Sequence, residues 1–206
     1  MGVNMSGNRG VAALYLGVLV AFVASAIRPH DYPTWLLETL PVMIALPLLW
    51  ATRERFPLTT LLYVLIALHA LVLIVGGTWT YAEVPAGFWV KDWFGLSRNP
   101  YDKLGHFMQG LVPALLAREI LLRKGYVTHR GMAAFLSLCV AEAISAWYEL
   151  IEWWTALALG QGADAFLGTQ GDPWDTQSDM FMAGIGAAVG LLILRRLHDA
   201  QIARLA

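Results

Sequence analysis

Three short stretches of the chain combine acidic, basic and imidazole side chains at helical spacing. The first is RNPYDKLGHFMQG, residues 98–110, with Asp102, Lys103, His106 and Gln109. Asp102 and His106 are four residues apart, so on a helix they lie one turn apart on the same face. An imidazole oriented by a carboxylate suits general acid–base chemistry, and the same two groups also bind metal ions.

The second stretch is a polar stripe inside an apolar run. Its members are Glu142, Ser145, Glu149 and Glu152, which fall within an arc of about 80° on a helix. An ionised side chain at the bilayer centre costs roughly 2.5–3.5 kcal/mol, so three carboxylates in one apolar helix imply partners, water, protons or a metal.

The third stretch is GTQGDPWDTQSDM, residues 168–180. Asp172 followed by Pro173 predicts a helix start, with proline in the first turn and acidic side chains favoured by the helix dipole. Asp175 and Asp179 lie on the same predicted face. Gly186 and Gly190 continue that face, and their small-xxx-small spacing permits close helix approach. We therefore expect the acidic face to be turned towards neighbouring helices.

The composition is that of an integral membrane protein. Of the 206 residues, 58% are hydrophobic and 14% are charged, and the mean hydropathy is +0.57. The formal charge of −1 lacks the basic excess of a nucleic-acid-binding protein. A single cysteine, Cys139, excludes an internal disulfide and any CxxC metal site, and its apolar surroundings predict a buried, inert thiol.

Six apolar runs approach membrane-spanning length. They predict an all-α, polytopic membrane helical bundle with six transmembrane helices, forming a single domain over residues 1–206. The first run resembles a signal peptide, but its length favours a retained anchor. The interrupted, aromatic-rich segment 81–97 predicts an interfacial helix. The six runs are Val11–Ile27, Thr34–Trp50, Leu58–Trp79, Leu104–Leu122, Gly131–Leu159 and Met180–Leu194.

The basic residues predict the orientation of this bundle. With six spans, ten of the 14 Lys and Arg residues lie on the side of the termini, which should therefore be cytoplasmic. The ten are Arg9, Arg53, Arg55, Arg118, Arg123, Lys124, Arg130, Arg195, Arg196 and Arg204, and the other four are Arg28, Lys91, Arg98 and Lys103. The acidic stretches and the loop 161–172 would then face outward.

Of the remaining histidines, His69 is expected to form a hydrogen bond with a neighbouring helix, and His198 is expected to be solvated.

The polar faces should meet in one pocket open to the outer leaflet, since only convergence hides all of them from lipid. Its carboxylates would need compensating cations. One or two divalent cations would provide them, with Mg²⁺, Mn²⁺ or Ca²⁺ favoured by oxygen ligands and Zn²⁺ compatible. The predicted metal ligands are Glu149, Glu152, Asp172, Asp175 and Asp179. The alternative is a structural network that shares protons or pairs with Arg28, Arg98 and Lys103.

Several motifs carry a family resemblance. RERFP (53–57), TYAEVP (80–85), RNPYDKLGHFMQG, YELIEWW (148–154) and FLGTQGDPWDTQSDM together resemble the YjdF family of bacterial inner-membrane proteins. The resemblance covers roughly residues 50–195 and departs at Pro100, where histidine is usual. It implies a six-helix, multi-pass inner-membrane protein. It says little about the chemistry of the site, because the family is a domain of unknown function. The Asp102, Lys103, His106 and Phe107 core also resembles the VanZ-like proteins over a shorter stretch.

Three function classes remain open. The first is a metal-dependent hydrolase or transferase acting on a lipid or lipid-linked phosphate. In that hypothesis the catalytic residues are Asp102, His106, Glu149 and Glu152, and the substrate-binding residues are Arg98, Lys103 and Gln109. The second is a proton- or cation-coupled transporter, in which Glu142 and His69 extend the site into the membrane. The third is a structural assembly factor. In each case the expected partner is the lipid bilayer.

Overall fold

A computed structural model describes residues 5–159 and 169–205, and all regular elements in these ranges are helical. The all-α membrane bundle predicted from the sequence is confirmed. Most of the loop 161–172, predicted to face outward, lies outside the described residues. The elements are α1 Met5–Ser25, α2 Tyr32–Thr52, α3 Thr60–Trp79, a 3-10 turn Tyr81–Glu83, α4 Pro85–Phe94, α5 Tyr101–Arg123, α6 Arg130–Leu159, α7 Asp175–Leu192 and α8 Arg195–Ile202.

Each of the six predicted apolar runs corresponds to a helix, but the number of membrane spans stays a prediction. Among the described residues, α2, α3 and α6 are long and apolar enough to cross a membrane. α7 and α8 would form a fourth span if this pair, bent by 57°, is counted as one. α1 contains a shorter apolar helix over Arg9–Ser25, and the apolar run of α5 is interrupted by the buried polar residues His106, Arg118 and Glu119.

Local sequence explains several helix ends. Asp31 Oδ2 accepts from the Thr34 amide at 2.8 Å and caps α2, with a proline in its first turn. α4 ends at Gly95, whose φ of 62° suits glycine. The predicted helix start at Asp172 is wrong, because α7 begins at Asp175. Asp172 Oδ1 instead accepts from the Trp174 amide at 2.9 Å, so this side chain stabilises a turn before the helix.

Among the described helices, α5 and α7 share the most extensive contact. A Cβ atom added at Gly186 would overlap the Phe107 carbonyl oxygen, and one added at Gly110 would overlap the Ala183 carbonyl oxygen. The small-residue packing predicted for Gly186 and Gly190 is therefore present. α6 covers this pair, while α1 and α2 pack on α3, which joins the two halves through α5.

Three side chains lie in surroundings other than those predicted. Cys139 is exposed on α6 rather than buried, because the apolar run containing it presents one face to the outside of the bundle. His198 is fully buried rather than solvated, since the short helix α8 folds back under the bundle. Within the described ranges, His69 Nε2 is buried and has no hydrogen-bond partner, so the expected interhelical bond is not formed by that atom.

Candidate functional site

A lysine from α5 forms ion pairs with two aspartates of α7. Lys103 Nζ lies 2.5 Å from Asp179 Oδ1 and 2.9 Å from Asp175 Oδ1. It also donates to Ser178 Oγ at 2.6 Å. The two helices can bring these groups together because the glycines let their backbones approach closely. Lys103, Asp175 and Asp179 form the centre of what we call the acidic cluster, which also contains Arg98, Asp102, His106, Glu149 and Asp172.

Arg98 borders this cluster from the loop before α5. Its Nη1 lies 2.5 Å from Asp175 Oδ1 and donates to the Thr169 carbonyl oxygen at 2.8 Å, while Nη2 lies 3.4 Å from Asp172 Oδ2. Burial disfavours the charged guanidinium, but the hydrogen bond to Asp175 and the surrounding aspartate charges outweigh burial and raise the pKa of Arg98 above its ordinary value. Arg98 therefore ties the segment before α7 to the start of α5.

His106 lies one turn further along α5 and is only 5% exposed. Its Nε2 lies 3.4 Å from Asp102 Oδ1 and 3.8 Å from Asp179 Oδ1. Its Nδ1 lies 3.7 Å from Glu149 Oε1 and 3.0 Å from Gln109 Oε1. Gln109 thus orients the ring with Nδ1 towards α6, and Nε2 faces the aspartates of α5 and α7. One imidazole is surrounded by carboxylates from three helices.

A small cavity lies beside the imidazole. It measures about 20 Å³, which is room for a single water molecule or a bare ion. Glu38 reaches it from α2, is 3% exposed and accepts a hydrogen bond from the Tyr148 hydroxyl at 2.9 Å. The cavity is lined by Glu38, Leu73, Tyr81, Asp102, Gly105, His106, Gln109, Tyr148 and Glu152.

Two carboxylate oxygens near the cavity have no hydrogen-bond partner within the described part of the chain. They are Asp102 Oδ2 and Glu149 Oε1, and Glu149 is only 7% exposed. Buried polar atoms are normally paired, so each oxygen can still accept a hydrogen bond from water or bind a cation, with His106 Nδ1 3.7 Å from Glu149 Oε1. Asp102, His106 and Asp179 each offer one ligand atom, all within 4.8 Å of one another. Carboxylate and imidazole ligands suit a divalent cation, although Lys103 Nζ lies 3.7 Å from Asp102 Oδ2.

The structure brings most of the predicted site residues together. Asp102, Lys103, His106, Gln109, Glu149, Asp175 and Asp179 lie within one cluster, Glu152 lines its cavity, and Arg98 and Asp172 lie at its edge. The grouping differs from the predicted metal set. The possible metal ligands that lie together are Asp102, His106 and Asp179. Asp172 and Asp175 instead form ion pairs with Arg98, and Asp175 also pairs with Lys103.

Two residues of the site were missed by sequence reasoning. Glu38 lies within the second apolar run and was assigned no role, although a lone carboxylate in such a run needs a partner. Tyr148 precedes Glu149, but a tyrosine beside a polar stripe is common in membrane helices and points to no particular residue. Only the packing of α2 near α6 shows that these two side chains bond each other.

A second buried polar cluster, the α8 cluster, lies at the opposite end of α5. Glu119 is fully buried and accepts hydrogen bonds from Thr59 Oγ1 at 2.8 Å, Arg123 Nη1 at 2.7 Å and His198 Nε2 at 2.9 Å. Arg118, predicted among the cytoplasmic cations, is also fully buried, and its Nη2 lies 2.5 Å from Asp199 Oδ1. These contacts hold α8 against α5 and the start of α3.

The relatives of this chain agree with the architecture. Residues 11–200 match the family described as "Predicted membrane protein (DUF2238)". The chain is 62% identical over 189 residues to "Inner membrane protein YjdF" of Escherichia coli (strain K12), covering 92% of this chain and 90% of that protein. No solved structure is significantly similar to it. The resemblance to the YjdF family that the motifs indicate is thus confirmed, and the chain belongs to the DUF2238 family of predicted membrane proteins.

Proposed function

We propose that the protein is a proton- or cation-coupled transporter whose cation site is the cavity beside His106. The observation that carries this proposal is the size of the cavity together with its lining. Pockets for organic ligands usually measure about 300–1,000 Å³, whereas this one measures about 20 Å³ and is bordered by Glu38, Asp102 and Glu152. A single small cation matches both the space and the charge.

Further buried polar groups support a path leading away from the cavity. Ser145 Oγ is buried on the same stripe of α6 as Glu149, and it has no hydrogen-bond partner in the described part of the chain. Glu142, seven residues before Glu149, lies about 10 Å further along the helix, half-buried against Gly184. Ionisable groups inside membrane helices commonly mark ion or proton pathways. The polar stripe of α6 is therefore our proposed route for the cation.

Flux measurements on proteoliposomes test this function. With an imposed membrane potential, we expect entry of H⁺, Na⁺, K⁺, Mg²⁺ or Mn²⁺ to exceed that into protein-free liposomes. Glu149→Gln and Glu142→Gln should each abolish the excess flux. Glu83→Gln, which changes an exposed carboxylate outside the cavity, should keep it. Equal flux with and without protein would overturn the proposal, and so would full flux in Glu149→Gln.

The second candidate is a metal-dependent hydrolase or transferase acting on a lipid or lipid-linked phosphate. It is favoured by the ligand atoms of Asp102, His106 and Asp179, which could bind Mg²⁺, Mn²⁺, Ca²⁺ or Zn²⁺. In that case His106, oriented by Asp102, would act as general acid or base. We rank it second because Arg98 and Lys103, which would bind the phosphate, are only 15% and 19% exposed and are held in buried ion pairs with aspartates.

Phosphate release distinguishes the two candidates. Purified protein would be incubated with a lipid phosphate in detergent, with and without added Mg²⁺ or Mn²⁺. Metal-dependent release that is lost in His106→Gln and kept in Glu142→Gln would favour the enzyme, because Glu142 lies outside the ligand group. No release, together with the cation flux described above, would favour the transporter. If neither activity is found, the remaining hypothesis is that the charged residues only lock the bundle.

We also propose that the protein is a multi-pass protein of the inner membrane with cytoplasmic termini. The location is supported by the name of its Escherichia coli relative, and the orientation by the excess of basic residues on the side of the termini.

A further inference from the structure

A second, larger cavity lies in the other half of the bundle. It measures about 620 Å³ and lies mainly between α1, α2 and α3. α1 and α2 both pack on α3. They contact each other through side chains, with Tyr15 beside Trp50 and Phe22 stacked on Trp35, and a cleft remains between the two helices. Its lining is mainly apolar and includes Val18, Val42, Leu46, Ala67 and Ala70. This volume is in the range of ligand pockets, and its walls are suited to a hydrocarbon chain.

The length of the cleft fits one leaflet of a membrane. Along α3 its lining extends from Thr60 to Ala70, which is about 15 Å at a rise of 1.5 Å per residue. The hydrocarbon core of a bilayer is about 30 Å thick. The cleft therefore reaches from one membrane surface to about the midplane, the depth that a single acyl chain of that leaflet occupies.

A charged pair stands at the surface end of the cleft. Arg53 Nη2 lies 2.9 Å from Glu54 Oε1, and the two side chains are 38% and 80% exposed. The Arg53 guanidinium lies 3.8 Å from the centre of the Trp50 ring, which fixes its position at the opening. A cation beside an anion complements a head group that carries both a phosphate and an ammonium. A head group with a phosphate alone would place its negative charge beside Glu54 and offer that carboxylate no cation of its own.

From these observations we infer that the cleft is a binding site for one molecule of phosphatidylethanolamine. One acyl chain lies between α1, α2 and α3, the phosphate binds Arg53 and the ammonium binds Glu54. Arg53 is the natural phosphate ligand because its guanidinium donates several hydrogen bonds in one plane. The site is separate from the acidic cluster and does not depend on the proposed transport function.

Native mass spectrometry of the purified, delipidated protein tests this inference. The protein in detergent would be mixed with phosphatidylethanolamine or with phosphatidylglycerol at equal concentration. We expect one bound phosphatidylethanolamine per chain and an affinity about tenfold higher than for phosphatidylglycerol, since one charged hydrogen bond is gained. Equal or tighter binding of phosphatidylglycerol would overturn the proposal, and so would the absence of a one-to-one complex.

Two pairs of variants locate the site. Ala45→Phe places a ring in the cleft and should remove the bound lipid, whereas Ala51→Phe, on the exposed part of the same helix, should keep it. Glu54→Gln leaves the fold intact because its side chain is exposed, and it should abolish the preference between the two lipids. Arg55→Gln, which is exposed and does not line the cleft, should preserve it. Bound lipid retained in Ala45→Phe, or an unchanged preference in Glu54→Gln, would contradict the assignment.

Discussion

Lys103 Nζ and Asp179 Oδ1 lie 2.5 Å apart across the interface of α5 and α7, and the Asp179 side chain is only 2% exposed. The ion pair lies at the same interface as the close glycine contacts, so charge neutralisation and helix packing support each other. Removing one member of a buried pair is costly because the other charge stays buried without a partner.

Loss of the Lys103 ammonium should destabilise the bundle. We expect Lys103→Met to lower the free energy of unfolding by about 3–5 kcal/mol, because Asp179 loses its cation. Lys124→Met, at an exposed position after α5, should change stability by less than about 1 kcal/mol. Unfolding in detergent, followed by circular dichroism, measures both. The double variant Lys103→Met/Asp179→Leu should regain much of the loss, and a single variant as stable as the wild type would refute this account.

Close packing of α5 and α7 should make Gly186 intolerant of a side chain. In Gly186→Ala the new methyl group meets the Phe107 carbonyl oxygen, so the helices must separate, at a cost of about 1–3 kcal/mol or more. Gly17→Ala on α1 has nothing within 4 Å of the added atom, and better helix propensity should stabilise it by about 0.5–1 kcal/mol. Opposite shifts in thermal unfolding are the expected result; a stabilised Gly186→Ala would show that the interface is looser than described.

The α8 cluster offers a double-mutant cycle. Arg118 is fully buried and pairs with Asp199, so Arg118→Met should destabilise the protein by about 3–5 kcal/mol. Asp199→Leu alone should also be destabilising, since it leaves the Arg118 charge buried. The double variant should lose less than the sum of the two, which is the signature of direct coupling. Strict additivity of the two losses would mean that this ion pair contributes nothing by itself.

Orientation in the membrane can be tested with single cysteines. Because Cys139 is the sole cysteine, Cys139→Ser provides a cysteine-free background. Asp92→Cys on α4 should react with a membrane-impermeant maleimide in intact spheroplasts, whereas Arg196→Cys on α8 should react only after permeabilisation. Both positions are exposed, so burial does not limit labelling. The reverse pattern would place the termini outside and the acidic cluster on the cytoplasmic side.

The sequence by itself determined the helical class and most of the acidic cluster. Apolar runs of membrane length can satisfy their backbone groups in lipid only as helices or closed barrels, and continuous rather than alternating hydrophobicity selects helices. The spacing of Asp102 with His106, and of Asp175 with Asp179, put each pair on one helical face. Because ionised side chains that face lipid cost free energy, the sequence then predicted that these faces meet inside the bundle.

Tertiary structure decided which groups pair and what lies between them. Spacing along one helix says nothing about the distance to another helix, so the binding of Asp175 and Asp179 to Lys103 could not be read from the chain. The same holds for Glu38, which reaches Tyr148 over 110 residues of sequence. No sequence pattern predicted the cleft between α1 and α2. Hydrophobicity shows only that the faces of these helices avoid water, whereas a cleft depends on how three helices cross.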